Sequence, residues 1–97
     1  MTRHARKVDG NHADIRDGLR RVPGVYVQDV AAAAGLGFDL IVRYQDGPPL
    51  FLEIKNGSPL TDSEKRARAR YGQYWHAVTT FDEALFVLGI DTKPAPF

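Results

Sequence analysis

The strongest constraint on how this chain folds is a pair of apolar runs. Gly37-Phe38-Asp39-Leu40-Ile41-Val42 and Leu50-Phe51-Leu52-Glu53-Ile54-Lys55 are separated by Gln45-Asp46-Gly47-Pro48-Pro49. Glycine and proline punctuate turns, so the pair reads as a β-hairpin. Side chains alternate across a strand. One register gathers Leu40, Val42, Leu50, Leu52 and Ile54 on a single buriable face, and a slip of one residue would break it. The same register places Asp39, Glu53 and Lys55 together on the opposite face. Two carboxylates and a lysine converging at a strand end are costly for stability alone. They make chemical sense when the carboxylates hold a divalent cation.

Asp39 followed by Glu53-x-Lys55 resembles the D…(D/E)xK signature of the PD-(D/E)XK nucleases, and the chain is most similar to small VRR-NUC-type proteins of phages and bacteria. The resemblance continues in Arg6-Lys7-Val8-Asp9-Gly10-Asn11 and in Leu60-Thr61-Asp62-Ser63-Glu64, so it spans about Arg6 to about Leu88. It implies a restriction-endonuclease-like α/β sandwich and metal-dependent hydrolysis of DNA phosphodiester bonds. It also implies a phage or prophage origin, a cytoplasmic setting, and a homodimer like that of the Holliday-junction resolvases. In its metal site, Asp39, Glu53 and the backbone carbonyl of Ile54 hold Mg²⁺ or Mn²⁺, and Lys55 assists the attacking water.

Further site residues follow from the same resemblance. The family often carries a helical glutamate reaching the metal at the position of Asp14. Aspartate is one methylene shorter, and an exposed helical acid explains Asp14 equally well. A similar glutamine in the resembling proteins makes Gln28 a further site candidate, although a solvent-facing Gln28 fits the sequence too. Two residues depart from the pattern. Phe38 stands where a proline usually precedes the metal-binding acid, and Lys65 stands where a glutamine often follows the helix-opening glutamate. A lysine there would contact phosphate.

Ninety-seven residues, 43% hydrophobic and 26% charged, suit one ordinary globular domain, with residues 1–10 and 90–97 expected to be flexible or irregular. There is no cysteine, which excludes disulfides and thiolate metal sites and fits a reducing cytoplasm. No apolar run is long enough to span a membrane. The net charge of +1 by itself argues nothing about nucleic acid. The bases nevertheless cluster: Arg3, Arg6, Lys7, Arg16, Arg20 and Arg21 near the start against Asp9, Asp14 and Asp17, and Lys65, Arg66, Arg68 and Arg70 after the hairpin against Asp62 and Glu64. Arg6, Lys7, Lys65, Arg66 and Arg70 are the candidates for phosphate-backbone contact. Solvated helix faces account for such runs as readily.

Taken in order, Asn11 is the expected N-cap of a helix to about Arg21, stopped by Pro23-Gly24. Val25 to Val30 reads as a strand, and Ala31 to Gly37 as a loop. After the hairpin, Thr61 and Glu64 form a capping box opening a helix to about Tyr71, with Gly72 as its stop. Tyr74 to Thr79 reads as a strand, and Thr80 or Asp82 caps a last short helix through Leu88. The order is α-β-β-β-α-β-α, with a mixed sheet flanked by helices.

His4, His12 and His76 are isolated and lack the spacing of a zinc site. Glu64 reads as a helix cap rather than a ligand. Tyr71 and Tyr74 are mostly core residues, with base stacking a lesser possibility. Phosphate-binding glycine loops and nucleophile elbows are absent from the sequence. The function these residues suggest is a Mg²⁺- or Mn²⁺-dependent endonuclease acting on duplex, branched or flap DNA. The alternative is a non-catalytic nucleic-acid or protein binding module.

Overall fold

The computed structural model describes residues 10–90. Its elements are α1 (His12–Arg20), β1 (Val25–Asp29), β2 (Leu40–Tyr44), β3 (Leu50–Ile54), α2 (Asp62–Tyr71), β4 (Trp75–Val78) and α3 (Phe81–Val87). The strands form one mixed sheet in the order β1-β2-β3-β4. The first three pair antiparallel, and β4 lies parallel to β3 after the α2 crossover. A parallel neighbour needs such a crossover, whereas antiparallel neighbours need only turns.

The hairpin register is Leu40↔Leu52, Ile41↔Phe51 and Val42↔Leu50. It puts Leu40, Val42, Leu50, Leu52 and Ile54 on one face, buried against Ile15 and Leu19 of α1 and Ala84 and Leu85 of α3. Ile41 and Phe51 face the other way and pack with Phe38, Trp75 and with Ala67 and Tyr71 of α2. Helices therefore cover both faces. The two apolar clusters, one on each side, satisfy the sheet's need to bury both surfaces.

Three local expectations need correction. Tyr74 belongs to a 3₁₀ turn over Gly72–Tyr74, and the last strand begins at Trp75. Val30 lies just beyond β1, although its N–H still donates to the Asp39 carbonyl at 2.9 Å. Asn11 occupies the N-cap position of α1 but makes no side-chain cap bond. Its Nδ2 instead donates to the carbonyls of Lys55 and Thr79, at the ends of β3 and β4. A long-range bond thus outcompetes the local one, as tertiary packing often does with propensity. Thr61–Glu64 and Thr80–Glu83 both form complete capping boxes.

Candidate active site

The site is built where β2 begins and β3 ends. Asp39 precedes β2 by one residue and is 3% exposed, as is Glu53 on β3. The ladder slips here: the Asp39 N–H donates to the Leu52 carbonyl at 2.8 Å, one residue out of step with Leu40↔Leu52. The Asp39 carboxylate then takes over the ladder's next bond, with Oδ2 accepting the Ile54 N–H at 2.9 Å. The side chain of Asp39 is thereby drawn to the end of β3 beside Glu53.

Gly37 holds this segment in place. Its φ is +82°, and a Cβ there would lie 2.4 Å from the Ser63 carbonyl oxygen and 2.7 Å from Ala67 Cβ. Only glycine allows both the left-handed backbone and this approach to α2. The Gly37 carbonyl accepts the buried Trp75 Nε1–H at 2.8 Å. Phe38 packs against the stacked pair Phe51 and Tyr71, with ring centroids 4.9 and 5.7 Å away. This phenylalanine anchors Asp39 by packing rather than by backbone rigidity.

Lys55 follows β3 and points toward the first turn of α2. Its Nζ lies 2.9 Å from Glu64 Oε1, with both side chains largely buried. The same Oε1 accepts the Thr61 N–H at 3.0 Å. Glu64 is therefore a cap, as expected, and also the partner of Lys55, which sequence reasoning missed. Only its placement as the third residue of a capping box hinted that it would be fixed rather than free. Burial pushes the Glu64 carboxyl up. Hydrogen bonding with Lys55, the Thr61 N–H and Glu53 outweighs this and brings it below its ordinary value.

The remaining candidates divide. Asp14 is exposed on α1 and joins none of the contacts described for Asp39, Glu53 or Lys55. Gln28 is exposed on β1 and pairs with Ile41, so it lies on the face of the sheet that carries Glu53. Lys65, Arg66 and Arg70 are exposed along α2. Arg6, Lys7 and His4 lie outside the described residues. Tyr71 stacks on Phe51 at 4.3 Å and belongs to the core.

A second polar cluster lies on the α1 side of the sheet. Asp29 Oδ2 meets His12 Nε2 at 3.0 Å and Arg16 Nη1 at 3.1 Å, while Oδ1 accepts the Ala31 N–H at 3.0 Å. Burial raises the Asp29 carboxyl, but these bonds outweigh it and hold the pKa at about 2. The cluster pins α1 to the end of β1. His12, expected to be isolated, is a buried structural partner.

Among the described residues, no group of three or more His, Asp or Glu side chains is arranged to hold a metal ion. Also among them, no helix is long and apolar enough to cross a membrane. Comparison with family models, with curated proteins and with solved structures finds no match.

Proposed function

We propose that this chain is a metal-dependent DNA endonuclease of the PD-(D/E)XK type, similar to the small VRR-NUC proteins, on a restriction-endonuclease-like sandwich. The observation that carries this reading is a pair of buried acidic side chains, Asp39 at the start of β2 and Glu53 near the end of β3, followed two residues on by Lys55, which Glu64 holds in place. Such an arrangement is a poor way to gain stability and a good way to attract a cation.

The donor set suits Mg²⁺ or Mn²⁺. These ions take oxygen ligands and need only one or two carboxylates, with waters and substrate completing the shell. Asp39, Glu53 and the Ile54 carbonyl would hold the ion. Once bound, it supplies an acidified water and neutralises phosphate charge. Lys55 presents its ammonium to a phosphate oxygen and orients the attacking water. Glu64 acts through Lys55 by fixing its rotamer. Lys65, Arg66 and Arg70 line the helix that carries Glu64 and contact the phosphate backbone, which positions DNA without reading its sequence. A domain this small favours structure-selective or weakly specific cutting of duplex, branched or flap DNA. A homodimer would bring two sites to two strands, as in Holliday-junction resolvases.

A second reading, a non-catalytic nucleic-acid or protein binding module on the same fold, draws on the ordinary structural quality of the contacts. The Lys55–Glu64 pair and the Asp39–Ile54 bond each stand as complete tertiary interactions.

A cleavage assay separates the two. The protein is incubated with Mg²⁺ or Mn²⁺ and linear, single-stranded, flap and four-way-junction DNA, beside Lys55→Ala confirmed folded by circular dichroism. The nuclease reading expects cutting that EDTA abolishes and that Lys55→Ala lowers by about a hundredfold or more. No cutting of any substrate, with DNA binding indifferent to metal, establishes the binding module instead.

A further inference from the structure

The face of the sheet that carries Glu53 continues past the cover of α2 toward the β1 edge. There it opens into a groove of about 380 Å³ lined by Tyr26, Val27, Gln28, Ile41, Arg43 and Pro49. That volume is at the small end of ligand-binding clefts and suits a group of nucleobase size. Tyr26 and Arg43 are direct cross-strand partners. The Arg43 guanidinium sits 5.4 Å from the Tyr26 ring centroid, held by a 2.9 Å bond from its Nε to the Gln45 carbonyl. Tyr26 is 62% exposed, the most of any tyrosine among the described residues. Among those residues no acid pairs with Arg43. A large aromatic ring left in solvent beside a cation, with an amide next to it, has the composition of a base-stacking platform.

Register gives the groove its relation to the site. Arg43 and Ile41 alternate along β2, and Ile41 pairs with Phe51 two residues before Glu53, so Arg43 and Glu53 lie on the same face of the sheet. Gln28, opposite Ile41, stands between them.

We infer that Tyr26, Arg43 and Gln28 form a platform for an unpaired nucleobase of a single-stranded segment whose backbone runs on to the Asp39–Glu53–Lys55 site. The inference deepens the nuclease reading and rests on it for the choice of nucleic acid as ligand. Tyr26 supplies the stacking surface, Arg43 the charge that meets the adjacent phosphate, and Gln28 the donor and acceptor for a base edge. The substrate class is then DNA with a single-stranded arm, as in a flap, rather than uniform duplex.

The test is binding in EDTA at fixed ionic strength, so that cleavage plays no part. Fluorescence anisotropy follows a short labelled oligothymidylate and a strand of the same length made wholly of abasic sites. Tyr26→Thr keeps a strand-favouring side chain without the ring, and Tyr26→Trp keeps the ring and reports on it. The expected result is that Tyr26→Thr weakens the thymidylate strand by at least about fivefold and leaves the abasic strand unchanged. Tyr26→Trp should hold the parent affinity, with its added indole emission quenched by thymidylate and not by the abasic strand. Equal binding of both strands by Tyr26→Thr and the parent overturns the platform, as does failure of the parent to bind thymidylate. Sedimentation showing that Tyr26→Thr only breaks a dimer, with thymidylate affinity intact, overturns it in favour of a second copy of the chain. Thymidylate binding through Tyr26 without metal-dependent cutting would sink the nuclease reading and leave the platform standing.

Discussion

Lys55 Nζ and the Thr61 N–H converge on one oxygen of Glu64, at 2.9 and 3.0 Å. A single carboxylate therefore starts α2 and holds the lysine at the end of β3. Stability and the proposed chemistry are coupled through that atom.

Glu64→Ala removes both bonds and leaves the Lys55 ammonium without this partner in a largely buried position. Breaking such a pair from one side costs about 3–5 kcal/mol. Glu64→Gln keeps an acceptor for Thr61 but loses the charge, and its cost should be about 1–2 kcal/mol. Urea denaturation of the two variants measures the difference. Should Glu64→Ala match the parent within 0.5 kcal/mol or so, the pair contributes nothing to the fold. With Mg²⁺ present, Glu64→Gln should also lower cleavage while preserving DNA affinity.

Asp29 links stability to acid. Its folded pKa of about 2 lies below the ordinary 3.8, so its bonds to Ala31, His12 and Arg16 stabilise the protein fully above the ordinary value. As pH falls through that value toward about 2, this contribution is lost. Glu64 is shifted in the same direction and adds to the same acid limb. Asp29→Asn should therefore be less stable near neutrality and show a shallower loss of stability between about pH 4 and pH 2. Urea midpoints across that window report it, and parallel curves for the two proteins would refute the assignment.

Gly37→Ala should be severe. It combines a left-handed φ of +82° with a Cβ at 2.4 Å from the Ser63 carbonyl oxygen. Strain and overpacking together should cost more than about 3 kcal/mol. Gly57→Ala is the control, since its φ is +88° but nothing lies within 4 Å of the added carbon. That change should cost only about 1 kcal/mol, the backbone term alone. Equal melting temperatures for the two variants would show that the contact with α2 is relaxed at little cost.

Asn11 and Asp14 lie one turn apart on the same helix end, and opposite outcomes are expected. Asn11→Ala loses the bonds to the Lys55 and Thr79 carbonyls and should cost about 1–3 kcal/mol. Asp14→Ala removes an exposed acid and should stay within about 0.5 kcal/mol. Its cleavage rate with Mg²⁺ should equal that of the parent. A large loss of cleavage in folded Asp14→Ala would return that residue to the metal site.

Several features were legible in the chain because they are local. Alternation with period two and the Gly-Pro turn determined the hairpin and its register, since a one-residue slip would expose the whole apolar face. The Thr61–Glu64 box was readable for the same reason: both partners of each bond lie within a turn of helix. What lies across the sheet was not. That Lys55 would donate its bond to Glu64 depended on the α2 crossover returning its first turn over the end of β3. That Asn11 would tie β3 to β4, that Asp29 would gather His12 and Arg16, and that Gly37 would be pressed onto α2 depended on how the helices seat on the two faces. Tyr26 and Tyr71 look alike in the sequence, yet one ring is packed in the core and the other faces solvent, because α2 covers only part of its side of the sheet. Sequence period decides which face a side chain joins; only the packed layers decide what it meets there.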